Sequence, residues 1–211
     1  MKILVYCGTN HGEGLDSLLQ KYAWDKIYCF EANTELYQKL ADKYKGDYRI
    51  SFHNTILAES HGEEVPFYIL DANNTKMDYA STTTPLEDFN ENYYKMSGNK
   101  ITLTKTLRLK TTNLCTFLQE EGVEKIELLV TDLEGNDLSV VKTMKPYIDN
   151  KKITYIQSEV EPDHMPVKYK DKDNKFSSFT KLFGDNYSLH GKDQGAGPNW
   201  WQVDHWWAVN E

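Results

Sequence analysis

A short apolar run, Ile3-Leu4-Val5-Tyr6-Cys7, breaks at Gly8 into a loop with further glycines at Gly12 and Gly14. An amphipathic stretch follows, with Leu15, Leu18, Leu19 and Tyr22 at helical spacing. Buried strand, tight loop and helix, in that order, open a βαβ unit of a parallel sheet. Gly8 and Gly12 predict backbone at positive φ and a loop whose amides can come close to a ligand. The spacing is GxxxGxG rather than GxGxxG, so the loop alone names no cofactor.

Lys26 to Glu31 reads as the second strand. Asn33 then offers a side-chain N-cap, with Glu35 in the first turn and Leu36, Leu40 and Tyr44 along one helical face. Tyr48 to Asn54 gives a third strand, and Ile56-Leu57-Ala58 leads through a turn at His61-Gly62 to an extended segment from Glu64 to Leu70. Residues 71–100 are polar and aperiodic, too long for an ordinary connection, and are expected to form a lid or acceptor loop. Ile101 to Leu109 alternates as a strand, and a helix opening at Thr112 carries Leu114, Phe117 and Leu118 until Gly122 stops it. Ile126 to Asp132 is a nearly continuous apolar strand ending in acid, after which Asn136 is expected to cap a helix with Val140, Val141 and Met144 inward. Ile153 to Val160 repeats the strand pattern, and Phe176, Phe179, Leu182 and Phe183 mark one more helix. Tyr187 to His190 and Trp201 to Val209 read as a terminal hairpin. This succession predicts an α/β chain of one domain over residues 1–211, a doubly wound, mostly parallel sheet with an antiparallel C-terminal hairpin. Ligands in such sheets bind outside the carboxyl ends of the strands.

Formal net charge is -8, from 24 Lys and Arg against 32 Asp and Glu. No basic cluster is long enough to track a phosphate backbone, which disfavours nucleic acid as a partner and favours a small-molecule acceptor. There is no apolar run of about 18 residues and no charged-then-apolar leader, so a soluble, cytoplasmic protein without a membrane span is expected. Cys7, Cys29 and Cys115 lack CxxC spacing, and His11, His53, His61, His190 and His205 lack HxH or HxxxH spacing, which makes them core or surface groups rather than metal ligands.

Acids end three of the predicted strands: Glu31, Asp132 and Glu159. In dinucleotide sites a carboxylate about 20 residues beyond the glycines accepts hydrogen bonds from ribose hydroxyls, and Glu31 stands at that distance from Gly12. Three segments, Gly8-Thr9-Asn10-His11-Gly12, Phe30-Glu31-Ala32-Asn33 and Leu128-Leu129-Val130-Thr131-Asp132-Leu133-Glu134-Gly135-Asn136-Asp137, resemble those of the FkbM-type S-adenosylmethionine-dependent methyltransferases. Phe52 to Glu63 resembles that family's adenine-side segment, Asn113 to Leu118 the helix before its Asp-x-Glu-Gly strand, and the likeness runs in order from Leu4 to Glu161. The resemblance implies a class I methyltransferase fold with a seven-stranded sheet. It implies cofactor contacts at Gly8, Thr9, Asn10, Gly12, Glu31, Ala32 and Asp132, with Asn54 and Ile56 near the adenine. Three positions depart from the family pattern: Tyr6 replaces an acid, Val130 a Lys, and Ile56 a small residue. The chain opens on its first strand without the leading helices of many such enzymes, as one domain of a longer polypeptide would.

Methyl transfer from a sulfonium is an in-line displacement, so the protein's main task is to hold donor and nucleophile in near-attack geometry. The resemblance, acidity and aromaticity together point to a sugar hydroxyl of a glycan as acceptor. Such a hydroxyl needs a base; Asp132 is the first choice, with Glu134, Glu159 and His164 in reserve. Alternatively Asp132 and Glu159 hold Mg²⁺ that acidifies the hydroxyl. Trp200, Trp201, Trp206 and Trp207, with Phe176, Phe179 and Phe183, are expected mostly in the core, with one or two in the Gly195 to Trp201 loop free to stack on a sugar. Two other functions compete. One is a short-chain dehydrogenase, suggested by GxxxGxG and by Tyr147-Ile148-Asp149-Asn150-Lys151, which spells YxxxK against Pro146 at a helix end. The other is a non-catalytic glycan-binding domain that keeps only the fold.

Overall fold

The computed structural model describes residues 1–72, 81–89, 91, 101–170, 172–192 and 203–211. Strand β1 (Ile3–Cys7) is followed by helix α1 (Glu13–Lys21), β2 (Lys26–Phe30), α2 (Thr34–Lys43) and β3 (Ile50–His53). The short β4 (Ile56–Leu57) and the long β5 (Glu64–Ala72) and β6 (Ile101–Thr112) come next, then α3 (Leu114–Glu120) and β7 (Ile126–Thr131). Helices α4 (Asp137–Thr143) and α5 (Lys145–Asp149), β8 (Ile153–Val160), α6 (Phe176–Phe183), β9 (Tyr187–Lys192) and β10 (Val203–Val209) follow, with short 3-10 turns at Leu86–Asp88 and Gly184–Asn186.

The main sheet has seven strands in the order β3-β2-β1-β7-β8-β10-β9. β1 pairs in parallel with β2 on one side and β7 on the other, and only β10 runs antiparallel to its neighbours, β8 and β9. The chain first builds outward from β1 to β3 and then crosses back to β7, so the connections after β1 and β7 diverge. That reversal opens a crevice at the carboxyl ends of the two central strands, the switch point where such sheets bind ligands.

Both sheet faces are apolar because β1, β2 and β7 are buried on both sides. α3, α4, α5 and α6 cover one face, packing Leu118, Val140, Ile148 and Phe179 on Val5, Leu129 and Ile156. α1 covers the other with Leu15 and Leu18 on Leu4, Ile27 and Val130. The expected aromatic core is present: Trp207 stacks on Phe179 at 5.5 Å and meets the Phe183 ring edge-on at 4.9 Å. Trp200, Trp201 and the Gly195 to Trp201 loop lie outside the described residues.

A second sheet, β4-β6-β5, was not foreseen. β5 and β6 pair antiparallel from Glu64 opposite Lys110 to Ala72 opposite Ile101, so the expected lid begins only past Ala72. Of that loop, residues 73–80, 90 and 92–100 lie outside the described residues, while Thr82 bridges back to Tyr68. β6 also runs three residues past Leu109. Thr112 is therefore the last strand residue, and Asn113 caps α3 by accepting the Thr116 amide at 3.1 Å. Asn33 caps α2 as expected, accepting from the Glu35 and Leu36 amides. Asn136 does not cap α4 with its side chain; its Oδ1 takes the Lys172 ammonium at 2.6 Å, and Asn174 Oδ1 accepts from the Leu138 amide instead.

Gly12 has φ 84, and a β-carbon there would lie 2.8 Å from Leu40 Cδ2 and 3.1 Å from the Tyr44 hydroxyl. The space its hydrogen leaves is filled by α2, not by a ligand. Gly12→Val should therefore lower the unfolding free energy by about 2 to 4 kcal/mol, the combined scale of a strained left-handed backbone and an overpacked contact. Urea denaturation measures this; wild-type stability in the variant would show that α2 gives way.

Candidate active site

The crevice is an open cleft whose lining includes Gly8, Asn10, Glu31, Ala32, Ile56 and Asp132. Its polar end is organised by Glu31, which is nearly buried at the end of β2. Glu31 Oε2 accepts the Asn10 amide and Oε1 the Asn33 amide, each at 2.7 Å. One carboxylate thus ties the loop after β1 to the loop after β2. Asn10 sits at φ 50, with its side-chain Oδ1 buried and without a hydrogen-bond partner. The other end is apolar, formed by Ile56 with Leu36, Leu57 and Phe67.

Three expected cofactor residues shape these loops from behind rather than line the cleft. Thr9 Oγ1 donates to the Phe30 carbonyl at 3.3 Å, and Gly12 faces α2. Asn54 Nδ2 donates to the carbonyls of Glu31 and Ala32, and its Oδ1 accepts from Thr34. Gly8 does line the cleft, and a β-carbon there would overlap the Asp132 carbonyl, so this glycine is required by the loop after β7.

Acids gather at the carboxyl end of β7. Register pairs Thr131 with Ser158 and Glu159 with Asp204, which sets Asp132, Glu159 and Asp204 in a row across β7, β8 and β10. Glu134 follows on a turn with left-handed backbone at Glu134 (φ 51) and Gly135 (φ 88). The Tyr169 ring fills the place of a Gly135 side chain, its hydroxyl donates to Glu134 Oε2 at 2.9 Å, and Lys168 forms an ion pair with the same oxygen. Asp132 is open to solvent through the cleft mouth. The walls around it and the negative charges of Glu134, Asp137 and Asp204 nonetheless push its carboxyl well above the usual range, against the pull of Lys168. Water entering by the mouth weakens the first cause and leaves the like charges. Half-buried Glu159 is raised in the same way, by burial and by Asp132 and Glu134, again opposed by Lys168.

His164, expected in reserve as a base, is exposed on the turn after β8 and does not line the cleft. The Mg²⁺ expectation is not supported: among the described residues no group of three or more His, Cys, Asp or Glu side chains could hold a metal ion. The cation among the acids is Lys168. Neither Lys168 nor Tyr169 was legible beforehand, because Val167-Lys168-Tyr169-Lys170 shows no period and no motif. Val130, where the family pattern has Lys, is buried against the α1 face. Tyr6, where it has an acid, has its phenol pKa raised by burial and by Asp132 and Asp204.

This sheet order with a switch-point cleft is the class I methyltransferase fold, and solved structures bear that out. A methyltransferase FkbM from Methylobacillus flagellatus KT superposes with a TM-score of 0.58 at 13% identity, covering 98% of this chain and 43% of that one. An rRNA methylase from Streptococcus thermophilus gives 0.52 at 9% identity over 100% of this chain and 87% of its own. TrmK from M. capricolum, solved with S-adenosyl-homocysteine, gives 0.50 at 10% over 100% and 63%. A sequence search of curated proteins found no match. The model of the methyltransferase FkbM domain matches residues 7–183, and the chain belongs to that family. The present chain spans less than half the length of the FkbM structure it matches.

Asp137, at the start of α4, is fully buried, and burial raises its carboxyl pKa to about 7 against hydrogen bonds from Thr131 and the Leu133 amide. Its folded pKa lies above the unfolded value of about 3.9, so its stabilising effect is complete below that pH and is lost as pH rises toward 7. Between about pH 5 and pH 8, wild-type stability should fall by on the order of 2 kcal/mol relative to Asp137→Asn in urea unfolding. Parallel pH profiles would show instead that Asp137 titrates alike in both states.

Proposed function

We propose that this chain is an S-adenosylmethionine-dependent O-methyltransferase whose acceptor is a sugar hydroxyl, on a small molecule or a glycan. The observation that carries the cofactor assignment is the polar end of the cleft. There the Glu31 carboxylate is held rigid by two backbone amides, beside the buried, unpartnered Asn10 Oδ1. A ribose diol supplies two donors suited to Glu31, and an ammonium or amino group supplies one suited to Asn10. Ile56, Leu36 and Phe67 offer the apolar surface that a purine needs. S-adenosylmethionine, when bound, brings an electrophilic methyl group on a sulfonium.

The chain's own part is then to hold and deprotonate the acceptor. Asp132 lines the same cleft and has a raised proton affinity, as suits a general base near neutral pH. Glu159 stands beside it as the alternative acid. A hydroxyl acceptor is supported by this acid-rich end, which repels phosphate and so speaks against nucleic acid. The dehydrogenase reading loses its pair. Tyr147 donates to the Val123 carbonyl at 2.5 Å and Lys151 Nζ to the Asn210 carbonyl at 2.8 Å, so both are engaged in structural bonds.

Calorimetry with S-adenosylmethionine and with NADPH tests the cofactor: heat with the first alone is expected, and heat with the second alone overturns the reading. Glu31→Ala should weaken S-adenosylmethionine binding by about 1.5 to 3 kcal/mol, the scale of hydrogen bonds to a charged group. Unchanged affinity would move the ribose site elsewhere. Asp132→Asn should reduce methyl transfer from labelled cofactor to a panel of free sugars and polysaccharides by about 10² to 10⁴-fold, with cofactor affinity little changed. Near-full turnover in that variant would pass the role to Glu159.

A further inference from the structure

We propose that Lys172 selects the base of the cofactor: its ammonium donates to N1 of adenine, on the ring edge farthest from the ribose, in a polar annex beyond the apolar end of the cleft. The inference rests on the S-adenosylmethionine reading and adds to it the residue that sets base specificity.

The annex is a groove between the second sheet and α4. Its lining meets that of the cleft at four residues, Ile56 and Leu57 of β4 with Thr83 and Asn136, which belong to both. Beyond this neck, Val65 and Pro66 of β5 give an apolar wall, and Lys172, Glu59 and Ser139 of α4 give a polar one. The neck is fixed in place. Tyr68 and Thr82 exchange backbone hydrogen bonds at 2.8 and 3.1 Å, and Asn136 Nδ2 donates to the next residue, Thr83, at 2.9 Å. Asn136 Oδ1 accepts from Lys172 Nζ at 2.6 Å, so a side chain that lines the cleft also holds the ammonium.

Lys172 is the unusual cation of this region. Lys168 and Lys175 are paired with the carboxylates of Glu134 and Glu161. Lys172 is half-buried, yet its partner among the described residues is one neutral amide oxygen, and it forms no ion pair there. Burial lowers its pKa, opposed by Glu59, which lines the same groove beyond ion-pair distance. An ammonium carries three N–H donors, and a charge withdrawn from water is ordinarily paired or fully hydrogen-bonded. The donors that Asn136 does not use call for an acceptor supplied by a ligand.

Adenine has that acceptor on the required edge. Glu31 holds the ribose at the polar end of the cleft, so a purine resting on Ile56 turns toward the neck the edge farthest from its glycosidic nitrogen. That edge carries one acceptor, N1, beside one donor, the 6-amino group. Lys172 supplies the donor for the first, and Ser139 and Glu59 supply acceptors for the second. Hypoxanthine and guanine carry N1–H instead, and two donors would then face each other. A site built to hydrogen-bond a ligand atom rejects the analogue that lacks it, because the protein's own group is left unpaired.

Calorimetry with S-adenosylhomocysteine and with its 1-deaza analogue, in which C–H replaces N1, tests the assignment without turnover. Wild type should bind the deaza compound about tenfold more weakly, the scale of one hydrogen bond from a charged donor. Lys172→Met should bind S-adenosylhomocysteine about as weakly as wild type binds the deaza compound, and should no longer distinguish the two. A purely structural role would weaken both ligands alike and leave their ratio unchanged, which overturns the proposal; so does a wild type that binds both equally. Should Lys172→Met fail to fold, the wild-type ¹⁵Nζ resonance decides: it should move with S-adenosylhomocysteine and not with the deaza compound, and equal movement or none overturns the proposal. The two readings fail differently. Binding of S-adenosylhomocysteine without discrimination removes the role of Lys172 alone, whereas no binding of either compound by wild type removes the cofactor reading on which it rests.

Discussion

The Asp132 carbonyl approaches Gly8 so closely that no β-carbon fits between the loops after β1 and β7. That contact follows from parallel pairing, for Cys7 lies opposite Thr131 in register and the Asp132 amide donates to the Cys7 carbonyl at 3.0 Å. With these two loops abutting, the Glu31 carboxylate needs to reach only two backbone amides to lock the third loop to them. Backbone contacts and one buried acid therefore define the cleft.

The acidic row is the costly part of this arrangement. Like charges on three adjacent strands oppose one another, and a buried carboxylate such as Asp137 gives up hydration that its hydrogen bonds only partly replace. Glu134 adds a left-handed backbone that a non-glycine residue adopts at a cost of about 1 to 3 kcal/mol. Such costs persist where surrounding structure over-determines them. Here the segment after β8 does so, through the Lys168 ion pair, the Tyr169 hydroxyl and the Tyr169 ring against Gly135. Strain and unfavourable charge concentrate at the cleft while the rest of the sheet is conventionally packed.

Local chemistry was legible wherever it acts over a few residues. Asn33 caps α2 because its side chain reaches amides two and three positions on, a property of the tetrapeptide alone. Asn136 looked identical in sequence, yet Lys172, 36 residues away, takes its oxygen. Thr112 looked like a helix start because nothing local reveals that β6 pairs with β4 up to that residue. Gly12 looked like a ligand contact because the residue facing it, Leu40, is brought there only when α2 packs.

The sequence by itself determined the order of strands and helices, the apolar faces, the glycine turn after β1 and the three strand-end acids, since each depends on periodicity or on neighbours in the chain. It also carried enough of the FkbM pattern to indicate the family. Only the tertiary structure decided which expected site residues face the cleft, that β4, β5 and β6 form a second sheet, and that Lys168 and Tyr169 complete the acidic cluster. Those outcomes depend on groups far apart in sequence, and their contacts arise from packing geometry and electrostatics that no local pattern encodes.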